Sequence, residues 1–249
     1  MADQSASPVT AALLVIGDEI LSGRTKDKNI GFIAELLTSL GIDLREVRVV
    51  ADDEEAIVEA LNALRVRNDY LFTTGGIGPT HDDITAAAVA RAFGRKLLLN
   101  QDAVEMLKTR IAESDLNAAR LRMATVPEGA TLIPNAVSAA PGFRVDNVFV
   151  MAGVPVVMQS MMEAVAPTLK TGAVIVSESL DTDGVLEGDY AASLADIAGS
   201  FPSISIGSYP MLTTSGFRNQ IVVRGRDAAE VRQAREQVAR MLENTPKRR

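Results

Sequence analysis

Three short strand patterns, each closed by a turn signal and followed by a helical pattern, restrict this chain to few folds. Residues 11–16 are apolar without a break and end at Gly17, which reads as a strand buried on both faces. Residues 44–50 and 70–74 read as the second and third strands. Between the first two runs, Asn29 can cap a helix with Ile33, Leu36, Leu37 and Leu40 on one face, stopped by Gly41. Asp52 or Asp53 can cap a second helix carrying Ile57, Leu61 and Leu64, and residues 83–93 read as an Ala-rich third, ended by Gly94. The β-α-β-α-β-α order predicts a parallel sheet with right-handed crossovers.

The later pattern is less regular. Residues 101–123 predict a helix with a break near Asn117, and residues 131–133 a short strand. Two strands flank the Asp146-Asn147 turn within residues 143–151. A helix from Pro155 carries Met158, Met161, Met162, Val165 and Leu169, a spacing that marks core. Beyond Lys170 the pattern changes to a strand at 173–178, a helix at 186–200, strands at 203–208 and 219–224, and a helix at 227–243. That order suits a small α+β domain. The expected organisation is a disordered N-terminus over 1–10, an α/β domain over 11–170, an α+β domain over 171–244 and a basic tail over 245–249.

Composition removes several classes of function. The chain has 249 residues, 47% of them hydrophobic, enough for a sizeable core. A formal net charge of −7 opposes general binding to nucleic acid. With no cysteine there is no disulfide, thiolate metal site or cysteine nucleophile, and with one histidine there is no multi-histidine zinc site in one chain. The first ten residues lack the basic and apolar segments of a signal peptide. No apolar stretch approaches the roughly 18 residues of a membrane helix. The expectation is a cytoplasmic protein without membrane contact.

The most informative stretch runs Thr73-Thr74-Gly75-Gly76-Ile77-Gly78-Pro79-Thr80-His81-Asp82-Asp83-Ile84-Thr85. It follows a buried strand and opens a helix. Glycines let the backbone turn and approach a ligand, and amides at a helix start favour an anion. It lacks the Lys-Ser/Thr of a nucleotide-triphosphate loop and the third glycine of a dinucleotide fingerprint. Its plain alternative is a tight turn with Asp82 or Asp83 as helix cap. A second cluster, Gly17-Asp18-Glu19-Ile20-Leu21-Ser22-Gly23-Arg24, leaves the carboxyl end of the first strand, where open α/β sheets build their crevices. Asp52 leaves the second strand on that same edge. Asp18, Glu19, Asp52, Asp82 and Asp83 are thus expected to share one crevice, and clustered carboxylates suit a hard divalent cation and a phosphate-bearing substrate. Taken singly, each is equally a helix cap or a solvated turn residue. His81 lacks a partner at a known spacing, Asp69 reads as a turn residue, and Arg24 and Lys26 suit either phosphate or solvent.

These residues carry a resemblance. The segments Gly17-Asp18-Glu19-Ile20-Leu21-Ser22-Gly23, Gly75 to Thr85, Ala140-Pro141-Gly142-Phe143 and Gly153-Val154-Pro155 stand in the order and approximate spacing of the CinA family. The first domain of that family is similar to the molybdopterin-binding MoaB/MogA proteins. The match is strong over residues 11–170, and weaker around Ser208-Tyr209-Pro210, which looks like the family's small middle domain. The resemblance implies a three-layer α/β fold with a mostly parallel sheet, followed by a small α+β domain. It implies metal-dependent hydrolysis of ADP-ribose-like pyrophosphates, with Asp83 and Asp52 as catalytic acids. Gly75, Gly76, Gly78 and Thr80 would form the anion loop, and Asp18, Asn135, Pro141 and Gly142 would border the pocket. Asn29 also matches a family position, which a helix cap explains equally well. Asp82, Asp83 and Glu19 would hold Mg²⁺, Mn²⁺ or Co²⁺, and molybdopterin is an alternative ligand. A non-catalytic pterin- or nucleotide-binding module and a molybdopterin adenylyltransferase are the competing readings. A homodimer is implied as well. The chain departs from the family twice. The deamidase domain of full-length members does not follow, so no deamidase activity is expected. Val157 stands where an acidic residue is usual.

Overall fold

The computed structural model describes residues 8–213 and 216–246. The chain divides into two compact units, Met1–Gly172 and Ala173–Arg249. The first unit runs β1 (Val9–Ile16), α1 (Asp18–Leu21), α2 (Asn29–Ser39), β2 (Ile42–Val50), α3 (Glu54–Arg65), β3 (Tyr70–Thr74) and α4 (Thr85–Ala92). It continues through β4 (Leu97–Leu99), α5 (Gln101–Lys108), a 3-10 turn (Glu113–Asp115), α6 (Ala118–Arg122), β5 (Thr125–Pro127) and β6 (Thr131–Ile133). It closes with β7 (Gly142–Val145), β8 (Val148–Met151), α7 (Pro155–Val165) and a 3-10 turn (Ala166–Thr168).

Six strands form one sheet in the order β2-β1-β3-β8-β7-β6. The first four are parallel, and β7 runs antiparallel to both its neighbours. The continuous apolar character of β1 has its cause here, because a central parallel strand is covered on both faces. Leu13 and Val15 pack with Ile33, Leu37, Met158, Met161 and Met162, from α2 and α7. Leu14 and Ile16 pack with Ile57, Leu61, Leu64, Ala88 and Val89, from α3 and α4. The result is a three-layer α/β fold with a mostly parallel sheet.

Several local expectations are corrected. Val9 and Thr10 already belong to β1, so order begins inside the segment expected to be disordered; residues 1–7 lie outside the described residues. Asn29 is not a cap. Asp27 Oδ1 accepts from the amides of Asn29 and Ile30 at 2.9 and 2.8 Å, and Asn29 lies within the helix. Of the pair after β2, Asp53 caps α3, accepting from Ala56 N at 2.9 Å. Neither Asp82 nor Asp83 caps α4, which starts at Thr85 with no side-chain cap. The expected long helix breaks twice, at the Glu113–Asp115 turn and at Asn117, which caps α6 through Arg120 N at 3.0 Å. Residues 18–21, expected as loop, make one helical turn. Strand β4, three leucines without alternation, went unread and pairs with β5.

The second unit holds β9 (Val176–Asp181), α8 (Glu187–Ser200), β10 (Ser205–Thr213), β11 (Gly216–Gly225) and α9 (Ala228–Asn244). Its antiparallel sheet has the order β10-β11-β9. Tyr190, Phe201, Ile204, Ile221, Val223, Val231, Ala234 and Val238 form its core. Asp227 caps α9 by accepting from Ala229 N and Glu230 N at 2.8 and 3.2 Å. Of the expected basic tail, residues 247–249 lie outside the described residues. Among the described residues, no helix is long and apolar enough to cross a membrane.

Candidate functional site

The carboxyl ends of β1, β2 and β3 deliver three loops to one edge of the sheet. Gly17 N donates to Val50 O at 3.1 Å and ties the first loop to the second strand. Because Asp53 is spent on capping α3, Asp52 is left to turn toward α1, where its Oδ2 accepts from Asp18 N at 3.0 Å. Burial pushes the Asp52 carboxyl up from its ordinary value of 3.8; the Asp18 amide opposes this, and the negative charges of Asp18, Glu19 and Asp82 add to the rise. Four of the five carboxylates singled out from sequence therefore act on one another at this edge.

The third loop is built from its own backbone. Gly75 and Gly76 take φ values of 102° and 67°, in the left-handed region that favours glycine. A side chain at Gly75 would collide with the Ile16 carbonyl, and one at Gly76 with the Thr85 hydroxyl. Buried Thr85 fastens the turn: its Oγ1 donates to Gly75 O and its N to Gly76 O, both at 3.0 Å. Gly75 N is spent on Met151 O at 3.1 Å.

Asp83 closes the loop. Its Oδ1 accepts from Gly78 N at 2.6 Å, and its Oδ2 from Thr80 N at 2.8 Å and Thr80 Oγ1 at 2.5 Å. Both carboxylate oxygens thus face the loop interior, as a positioning group does. The amides of Gly78 and Thr80, expected to hold phosphate, are occupied by Asp83. Among the described residues, those of Gly76 and Ile77 have no acceptor and remain available. The exposed Asp82 carboxyl is held below the ordinary range by the nearby Thr80 hydroxyl when that group turns to it, by its own amide and by the charges of His81 and Arg122. The 2.5 Å contact gives the hydroxyl hydrogen to Asp83, which leaves the amide and the two charges to act on Asp82.

Other expected site residues fare differently. His81 stands in solvent, 3.9 Å from Asp82, and Arg24 and Lys26 are exposed. Asn135 is buried and turned inward: its Oδ1 accepts from Val137 N and Ser138 N at 3.0 and 2.7 Å, and its Nδ2 donates to Ala140 O. Pro141 and Gly142 are buried, and a side chain at Gly142 would strike Val150 O. These three shape the loop behind the site and offer no free polar group of the kind expected. Val157 lies in the core on α7. Among the described residues, no three His, Asp or Glu side chains stand together as metal ligands. Asp82, Asp83 and Glu19 are not assembled into a cage, because Asp83 is held by the loop.

One residue carried no signal in the sequence: Arg122 follows no motif, yet its charge reaches Asp82 across the loop. Asn29, which matches a family position and is open to reading as a cap from sequence, is buried to 4% exposure, donates from Nδ2 to Gly153 O at 2.9 Å and ties α2 to the segment after β8.

Comparison with known proteins agrees with this architecture. Residues 12–171 match the family described as probable molybdopterin binding domain, and residues 175–247 match the FAD synthase middle domain. A protein of Archaeoglobus fulgidus is 33% identical over 230 residues, covering 92% of this chain and 96% of its own length. A CinA-like protein of Desulfosudis oleivorans is 38% identical over 203 residues, 79% of this chain but 47% of its own, so this chain spans about half that relative. The crystal structure of CinA from Thermoplasma acidophilum, described as of unknown function, is 34% identical, with a TM-score of 0.62. It covers 66% of this chain and 99% of its own.

Proposed function

The chain belongs to the molybdopterin-binding-domain family and is CinA-like, and from that premise we propose that its first unit binds a nucleotide or pterin by its phosphates and hydrolyses a nucleotide diphosphate such as ADP-ribose. The observation that carries this reading is the Asp52 carboxyl, raised by burial and by neighbouring acids beside a loop with unspent amides. A carboxylate whose basicity is raised is a better proton acceptor.

In this reading the Gly76 and Ile77 amides meet the diphosphate and offset charge as it grows on the phosphoryl oxygens. Asp52 orients a water and takes its proton as the water oxygen bonds to phosphorus. The bond from that phosphorus to the bridging oxygen breaks, and the second phosphate leaves. Asp83 keeps the loop in shape. The residues do not form a resident metal site. A divalent ion (Mg²⁺, Mn²⁺ or Co²⁺) would enter as part of the metal–diphosphate substrate, which needs only one or two protein carboxylates. Asp18 and Glu19 are the candidates. A cytoplasmic location is part of the same proposal.

Binding without turnover is the second reading, favoured by Val157 in the core, where the resemblance to the CinA family implies an acidic residue. The purified protein, mixed with a panel of nucleoside diphosphate compounds and each metal, separates the two when products are resolved. The hydrolase reading expects AMP and ribose 5-phosphate from ADP-ribose. Ligand protection of the fold without products would replace it with the binding reading, and neither outcome would reject both.

A further inference from the structure

Strand β4 is three consecutive leucines, Leu97, Leu98 and Leu99, exposed to 40%, 45% and 45%. Among the described residues, its sheet partner is β5 alone. Asn100 N donates to Ala124 O at 2.9 Å, and Glu128 N donates to Lys96 O at 2.7 Å. Backbone groups alternate sides along a strand. Residues 96, 98 and 100 therefore turn their backbone groups toward β5, and Leu97 and Leu99 turn theirs toward the open edge. An open apolar edge is a template for another strand, which proteins blunt with charge or cover. Among the described residues, exposed Lys96 and the Asn100 cap stand at its ends.

We propose that a second copy of this chain covers this edge, with two β4 strands pairing antiparallel across a two-fold axis at Leu98. The edge is complementary to itself. Leu97 meets the partner's Leu99 and exchanges two backbone hydrogen bonds with it, and the symmetry repeats the exchange. A shifted register would need Arg95 N, already donating to Ala90 O at 2.8 Å, or Gln101, which lies in α5. Charge agrees with the antiparallel sense. Lys96 precedes the strand, and Asp102 lies in the first turn of the helix that follows it, so the antiparallel sense brings each lysine to the end of the partner strand that carries its acidic residue. A groove of about 280 Å³ beside β4, lined by Asn100, Asp102 and Glu128 among others, has the sign to receive that lysine. A parallel pairing would set lysine beside lysine. A two-fold contact also closes on itself and leaves no edge to propagate.

The chain lacks cysteine, so Leu98→Cys would carry its only thiol. Directly opposed residues of a non-hydrogen-bonded antiparallel pair have Cα atoms about 4.5 Å apart, within disulfide range. Light scattering at micromolar concentration is expected to give the mass of two chains for the wild type and one for Leu98→Glu. Mixing Leu98→Glu with Leu98→Lys is expected to restore the dimer. Leu98→Cys is expected to oxidise to a covalent dimer, while Val66→Cys, exposed to 73% in the parent residue, does not. A monomeric wild type overturns the proposal. So does a Leu98→Glu variant that remains dimeric, which would place the contact on another face. If Leu98→Glu fails to fold, the Leu98→Cys crosslink decides alone.

Discussion

Adjacent residues Asp52 and Asp53 divide two tasks, and their sequence left open which took which. The division follows from geometry: Asp53 is three positions before the amide it accepts, at Ala56, the spacing of an N-cap. Asp53→Ala is expected to cost about 1 kcal/mol in urea unfolding and to leave ligand affinity unchanged. Asp52 behaves oppositely. Its folded-state value is raised, so its stabilising contribution is fully present below 3.8 and is lost as pH rises through the folded value. Asp52→Asn should therefore melt at the same temperature as the wild type or higher at pH 7, with the difference vanishing below pH 3.8. A lower melting point at pH 7 would contradict this. Asp69, read from sequence as a turn residue, is a brace. Its Oδ2 accepts from Thr10 N and Oγ1 at 2.8 and 2.9 Å, and the Thr10 amide leads in holding its carboxyl below 3.8. Here the contribution is present above 3.8 and is lost as pH falls through the depressed folded value. Asp69→Ala should cost about 1 kcal/mol at pH 7, and less in acid, by the same unfolding measurement.

At the scale of the element, the glycine-rich motif located the loop and its edge of the sheet. It did not reveal which amides were free, because that depends on where the Asp83 side chain turns. Two amides and a hydroxyl converge on Asp83, so an amide in its place offers one acceptor where two are needed. Asp83→Asn is expected to lower melting temperature and ligand affinity together. A purely catalytic carboxylate would lose turnover with melting unchanged, and calorimetry beside ligand titration tells the two apart. Gly76→Val likewise harms folding more than the motif alone suggests. It forces a β-branched residue to positive φ and against Thr85, and circular dichroism should show a large loss of stability before any ligand is added. Strand β4 was illegible because three leucines carry no period; the helix break near Asn117 was legible, but the Glu113–Asp115 turn before it was not.

For the whole molecule, the alternation of apolar runs and amphipathic stretches sufficed for the parallel half of the sheet. Each parallel crossover needs a helix that the periodicity records. In the β6–β7–β8 extension the two strands around the Asp146-Asn147 turn were legible, but their place in the sheet was not, since it depends on β8 entering beside β3. The crevice was legible as an edge, because strand ends place loops before any side chain is considered. Its inner arrangement was not. The second unit was legible in element order, though β9 lies three residues later than the pattern indicated. Its match to the FAD synthase middle domain adds a likeness without assigning it a task.

The central claim is that this edge holds a diphosphate and that Asp52 accepts the proton of the attacking water. The most direct measurement is single-turnover release of AMP from ADP-ribose with Mg²⁺ by wild type and Asp52→Asn, alongside ADP-ribose affinity for each. Release by the wild type is expected, with affinity in the variant within a few-fold of it and turnover lower by about 10² or more, as for loss of a general base. Equal turnover in the two proteins would contradict the claim.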